Sequence, residues 1–199
     1  MQRTKSLTRG KAVWGGRVVR LGLAVLVLLS ASCSKTIRTG QASSYLVITS
    51  LVGGPQSDNT VESDVISDEG TVFTDVAEAT FQLQMKDPNG LGPGPVNAIT
   101  LTQYRVEYVR SDGRNVEGVD VPFSFTSGVT ATISGSGSVG FTLVRLQAKQ
   151  EAPLRALRSG GGARIISTIA RITFYGHDQT GREVSVTGNL DVTFADWAG

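Results

Sequence analysis

Residues 77–86 read Ala77-Glu78-Ala79-Thr80-Phe81-Gln82-Leu83-Gln84-Met85-Lys86, with every odd position apolar and every even position polar. A period of two is that of a β-strand with one face buried and the other in water. Residues 183–194 repeat the pattern. Val184, Val186, Leu190, Val192 and Phe194 point one way, and Glu183, Ser185, Thr187, Asn189, Asp191 and Thr193 the other. Half-exposed strands of this kind belong to antiparallel sheets.

Further strands are expected at 45–52, 98–110, 119–125, 129–134, 138–146 and 164–176. Turn chemistry separates them at Asp87-Pro88-Asn89-Gly90, Asp112-Gly113 and Asp178-Gln179-Thr180-Gly181. Within 99–108 the apolar phase slips, from Ile99 and Leu101 to Tyr104, Val106 and Tyr108. A one-residue slip would turn a whole face outward, so a bulge is expected near Thr102 or Gln103. A single short helix is expected, at Lys149–Arg158, with Pro153 in its first turn and Ser159-Gly160-Gly161-Gly162 as its stop. One short helix among many alternating strands gives an all-β chain and a β-sandwich.

The stretch Ile172-Thr173-Phe174-Tyr175-Gly176-His177-Asp178-Gln179-Thr180-Gly181, followed by an alternating strand, resembles the last hairpin of bacterial immunoglobulin-like and fibronectin-III-like surface domains. That resemblance implies an immunoglobulin-like antiparallel β-sandwich with one short helix before the last hairpin. No tandem repeat is visible, so residues 45–199 read as a single domain.

The other end of the chain is different in kind. Residues 1–20 carry Arg3, Lys5, Arg9, Lys11, Arg17 and Arg20 with no acid, and Leu21–Leu29 are uncharged and almost wholly apolar. This is the layout of an export signal, and the uncharged run before Cys33 falls short of the roughly 20 residues a membrane-spanning helix needs. Leu29-Ser30-Ala31-Ser32-Cys33 resembles the lipobox of bacterial lipoproteins, with small residues before the cysteine and Ser30 in place of the usual leucine. The resemblance implies a signal peptide at 1–32, lipidation of Cys33 as the mature N-terminus, and a flexible lipidated tether at 33–44. Ser34 after the cysteine implies the outer membrane if the organism has one. Palmitate and similar chains are suited to this task, since each buried methylene contributes ~0.8 kcal/mol and stable anchoring takes more than one chain.

Removing the signal changes the charge. Six of the 19 basic residues precede Cys33 and all 17 acids follow it, leaving 13 basic against 17 acidic residues, a net −4. The basic balance of the whole chain is therefore no sign of a nucleic-acid partner. With the one cysteine lipidated, no disulfide, thiolate metal site or cysteine nucleophile is available.

Gly135-Ser136-Gly137-Ser138-Val139-Gly140 matches G-x-G-x-x-G, but Phe141-Thr142-Leu143-Val144 reads as a strand where a dinucleotide site needs a helix N-terminus, so a hairpin loop is expected. From Gln41 to Met85 there is no lysine or arginine, while Asp58, Glu62, Asp64, Asp68, Glu69, Asp75 and Glu78 supply seven acids. Asp64, Asp68, Glu69 and Asp75 are the calcium candidates; the segment 53–71 also reads as a solvated loop. His177, the one histidine, sits at a predicted turn with no nucleophile elbow or zinc-protease motif in the chain. Tyr104 and Tyr108 share one face of their strand, with core as their expected place, and Trp197 is expected to pack the chain end.

The sequence thus points to a non-enzymatic envelope lipoprotein without cofactor or catalytic residues. It would act as a binding or assembly module for a protein or glycan, contacting the membrane through its N-terminal lipid. A carboxylate-dependent polysaccharide enzyme and a calcium-stabilised adhesion-like module are the alternatives.

Overall fold

The computed structural model describes residues 42–54, 60–87, 89–159 and 164–197. The signal 1–32, Cys33, most of the tether, Asp58, Pro88 and the glycines at 160–162 lie outside them. Among the described residues no helix is long and apolar enough to cross a membrane.

The described chain is all-β with little helix, in two sheets. Strands β1 (Ser44–Val52), β3 (Asp75–Met85) and β6 (Ser136–Val144) form an antiparallel sheet in the order β1-β3-β6. The second sheet runs β2-β8-β7-β4-β5 and curls into a half-barrel. Its strands are β2 (Thr60–Asp64), β4 (Ile99–Val109), β5 (Phe125–Ile133), β7 (Ile166–Asp178) and β8 (Glu183–Ala195).

Period-two patterning decides which side chains meet between the sheets. Ala77, Ala79, Phe81 and Leu83 of β3 are buried, as are Ile172 and Phe174 of β7 and Leu190, Val192 and Phe194 of β8. Phe174 receives two rings edge-on, Phe81 at 5.0 Å between centroids and Phe141 of β6 at 5.3 Å. Tyr104 of β4 lies 5.3 Å from Phe141. Each ring buries a large apolar area, and the edge-to-face geometry sets the positive rim of one against the negative face of the next. Tyr104 and Tyr108 are core residues whose polar ends are satisfied by β6. Thr142 N–H donates to the Tyr104 oxygen at 3.0 Å, and Tyr108 O–H donates to the Leu143 carbonyl at 2.7 Å.

The expected bulge is present. The register of β4 against both β5 and β7 shifts between Leu101 and Gln103, which restores Tyr104, Val106 and Tyr108 to the core face.

Several expectations are corrected. Part of the acidic segment 53–71, read as a loop, is β2, and it pairs parallel to β8, so the strands are not all antiparallel. Val61 and Ser63 are its buried positions. Of residues 119–125, read as a strand, 119–121 instead close a turn in which Val119, Asp120 and Val121 N–H return to the Val116 carbonyl. Pro122 lacks the N–H a ladder needs, and the strand begins at Phe125. Gly135–Gly140 is not a hairpin loop. Gly135 stands at a corner between β5 of one sheet and β6 of the other, its carbonyl accepting from Leu83 N–H at 2.7 Å, and residues 136–140 are strand. The helix α1 spans Leu146–Gln150, earlier than expected, and Leu154–Leu157 is a separate 3-10 turn directly after Pro153. Both still precede β7. At the start of the domain, Ala42 is buried and β1 begins at Ser44.

Candidate functional site

The bulge in β4 shapes the surface around it. One extra residue stands in β4 between Leu101 and Gln103, and Gly176 pairs with Leu101 beside it. A Cβ there would stand 2.2 Å from the Thr100 carbonyl oxygen. Beyond the bulge the register sets Gln103 beside Tyr175 and Tyr175 beside Ser185, while His177 pairs with Thr100 on one side and Glu183 on the other. Two polar rows therefore cross the end of the sheet.

The β7–β8 hairpin fixes the ends of those rows. Asp178 is buried at the start of its turn. Its Oδ1 accepts from Thr180 N–H at 2.9 Å, Thr180 O–H at 2.6 Å and Arg182 N–H at 2.9 Å. Burial acts to raise its pKa, but these hydrogen bonds and the Arg182 charge outweigh it, and the carboxyl is held below its ordinary range. Gly181 takes a positive φ of 81°, a conformation glycine adopts without steric cost. Gln179 ties the turn to β4, its Nε2 donating to the Ala98 carbonyl and the Thr100 hydroxyl, both at 3.2 Å.

The start of β1 closes the same end. Ser44 O–H donates to the Asn97 carbonyl and Asn97 Nδ2 to the Ser43 hydroxyl, each at 2.8 Å. Lys86 N–H donates to the Ser43 carbonyl at 2.9 Å.

Between these elements opens a cleft of about 840 Å3, within the range of small-molecule sites. Ala42, Ser44 and Tyr45 line it from β1 and the residues before it, and Lys86 from just after β3. Thr102 and Gln103 come from the bulge, Tyr175–His177 from β7, and Gly181 with Glu183–Ser185 from the last hairpin. Tyr45 is 42% exposed. The lining carries one lysine and one glutamate, Lys86 and Glu183, which oppose each other in sign. A facing pair of carboxylates, which glycoside hydrolysis uses, is not part of this lining.

Of the residues singled out by sequence, His177 is at the cleft, exposed at the end of β7 with Nδ1 3.1 Å from the Asp178 carbonyl. The calcium candidates each have their own contacts. Asp64 accepts from Ile66 and Trp197 N–H, Asp68 and Glu69 are exposed in the turn closed by Ser67 and Thr71, and Asp75 pairs with Lys149. Among the described residues no three carboxylate, imidazole or thiol side chains gather in a way that could hold a metal. Trp197 is tied by its backbone, with its side chain 42% exposed. Burial pushes the Tyr108 phenol well up, helped by the Asp75 charge, in keeping with a structural hydroxyl.

Two features escaped the sequence. Lys149, in a segment read as a short helix, is 1% exposed, and its Nζ lies 2.7 Å from Asp75 Oδ1 while Asp75 Oδ2 accepts from Ser63. The cleft itself draws on segments far apart in the chain. The one local signal was the phase slip at Thr102.

No protein-family model and no curated protein matches the chain. Among solved structures it is similar to the sporulation control protein Spo0M of Bacillus subtilis, with 10% identity and a TM-score of 0.31, over 75% of this chain and 49% of that one. The chain thus spans about half the length of that protein.

Proposed function

We propose that this chain is a lipid-anchored envelope protein of binding or assembly type. In this reading an immunoglobulin-like sandwich is tethered at Cys33 and engages its ligand through the cleft at the tethered end. The observation that carries this is the place of Ala42. It lines the cleft nine residues after Cys33, and nine extended residues span at most about 30 Å. A cleft so placed faces ligands close to the membrane surface.

Strand order supports the immunoglobulin-like part. Read as the strands of that fold, β3 and β6 stand for B and E, and β4, β5, β7 and β8 for C, C′, F and G. β1 and β2 then share the role of the first strand, one in each sheet. Antibody domains join B to F by a disulfide beside a buried tryptophan on C. Here Phe81 meets Phe174 between the corresponding strands, with Tyr104 6.0 Å from Phe174.

The anchoring is tested by fractionation and radiolabelled palmitate. The native chain is expected to take up label and sediment with membranes, and Cys33→Ser to lose both properties. Equal labelling of the two proteins would overturn the reading.

A further inference from the structure

We propose that the cleft is a saccharide site, taking a short, uncharged stretch of glycan across Tyr45 and Tyr175; this rests on reading the cleft as the binding surface. Tyr45 is an aromatic on an edge strand with 42% of its surface in solvent, and Tyr175 lines the same cleft from β7 of the other sheet. A tyrosine ring offers a flat apolar face and a polar tip, which suits the alternating C–H faces and hydroxyl rims of sugars.

The polar lining fits the same chemistry. Thr102, Gln103 and Ser185 are neutral groups that both donate and accept, as sugar hydroxyls do. A phosphate or nucleotide calls for converging cations, whereas here Lys86 is offset by Glu183. An apolar peptide anchor calls for a dry hydrophobic pocket, and this lining is mixed. The site is also held in place before any ligand arrives. The bulge presses the Thr100 carbonyl onto Gly176, and Gln179 and Asp178 lock the hairpin, which lowers the entropy lost on binding.

The test uses the full-length lipidated protein in detergent, titrated calorimetrically with neutral trisaccharides of glucose, mannose and N-acetylglucosamine. Saturable binding of at least one is expected, weakened about five- to tenfold by Tyr45→Ala and by Tyr175→Ala. Gln103→Ala is expected to weaken it also, and Tyr45→Phe to preserve most of it. Thermal unfolding of each variant separates lost contacts from lost folding, and solvent-exposed Tyr45 provides a variant that leaves the core intact. Binding that ignores both tyrosine changes overturns the proposal, as does silence across all the sugars. A photo-crosslinker placed at position 45 in cells distinguishes the two failures. Crosslinking to a protein with every sugar inert overturns the saccharide while keeping the cleft as a binding surface. Absence of both overturns the cleft reading as well.

Discussion

At Gly176 an added methyl group would meet the Thr100 carbonyl oxygen at 2.2 Å and Leu101 Cα at 2.9 Å. Both neighbours are backbone, so neither can swing aside as a side chain would. Gly176→Ala is therefore expected to force the bulge open and to destabilise the domain by about 1–3 kcal/mol or more, read as a lower urea midpoint at unchanged slope. An unchanged midpoint would mean that the bulge has freedom to shift. In the core, Phe81→Ala and Phe174→Ala are each expected to cost ~3–5 kcal/mol. Their rings touch edge-on, so the double variant should lose less than the two single losses combined. Full additivity would mean that the contact contributes nothing beyond burial.

At the scale of elements, the β7–β8 hairpin depends on Asp178. Its folded pKa lies below its ordinary value near 4, so the sign of the effect is fixed. The carboxylate's stabilisation is fully present above about pH 4 and disappears as pH falls through the folded value. Asp178→Ala should destabilise by about 1–3 kcal/mol at neutral pH, since three donors lose their acceptor. The variant should also show a shallower loss of stability on acidification. A parallel acid profile in both proteins would rule the residue out as the titrating group. Strand β3 and strand β8 were legible because alternation is a local property, and so was the bulge, because a phase slip has few other remedies. Strand β2 was hidden. Its five residues, Thr60-Val61-Glu62-Ser63-Asp64, carry three exposed or half-exposed polar groups, and their parallel partner lies far along the chain. The glycines at 135, 137 and 140 misled for a related reason. Glycine weakens a strand, yet β6 retains it where Ile133 Cδ1 would stand 2.9 Å from a Cβ at Gly137.

At the scale of the whole molecule, the two sheets are joined by polar ties as well as by packed rings. Ser63 on β2 belongs to the larger sheet, Asp75 on β3 to the smaller, and Lys149 on α1 completes the link, with Arg158 Nη2 donating to the Lys149 carbonyl at 3.0 Å. None of this was readable in advance, because a lysine in a short polar helix ordinarily faces water, and only the final packing of three distant segments encloses it. Removing one member of a buried ion pair leaves the other unpaired, whereas replacing both with apolar groups can be nearly neutral. Lys149→Met is therefore expected to destabilise by about 2–4 kcal/mol, below the full cost of a deeply buried charge because the Asp75 side chain keeps 20% of its surface in solvent. Lys149→Met combined with Asp75→Leu should recover part of that loss, the remainder reflecting the buried Ser63 hydroxyl left without its acceptor. Denaturant unfolding of the two single variants and the double variant measures the coupling, and hydrogen exchange at Val61 and Ser63 should report loosening of β2 in Lys149→Met. A single-variant loss well under 1 kcal/mol, with β2 exchange unchanged, would mean that the sheets are held by their aromatic core alone.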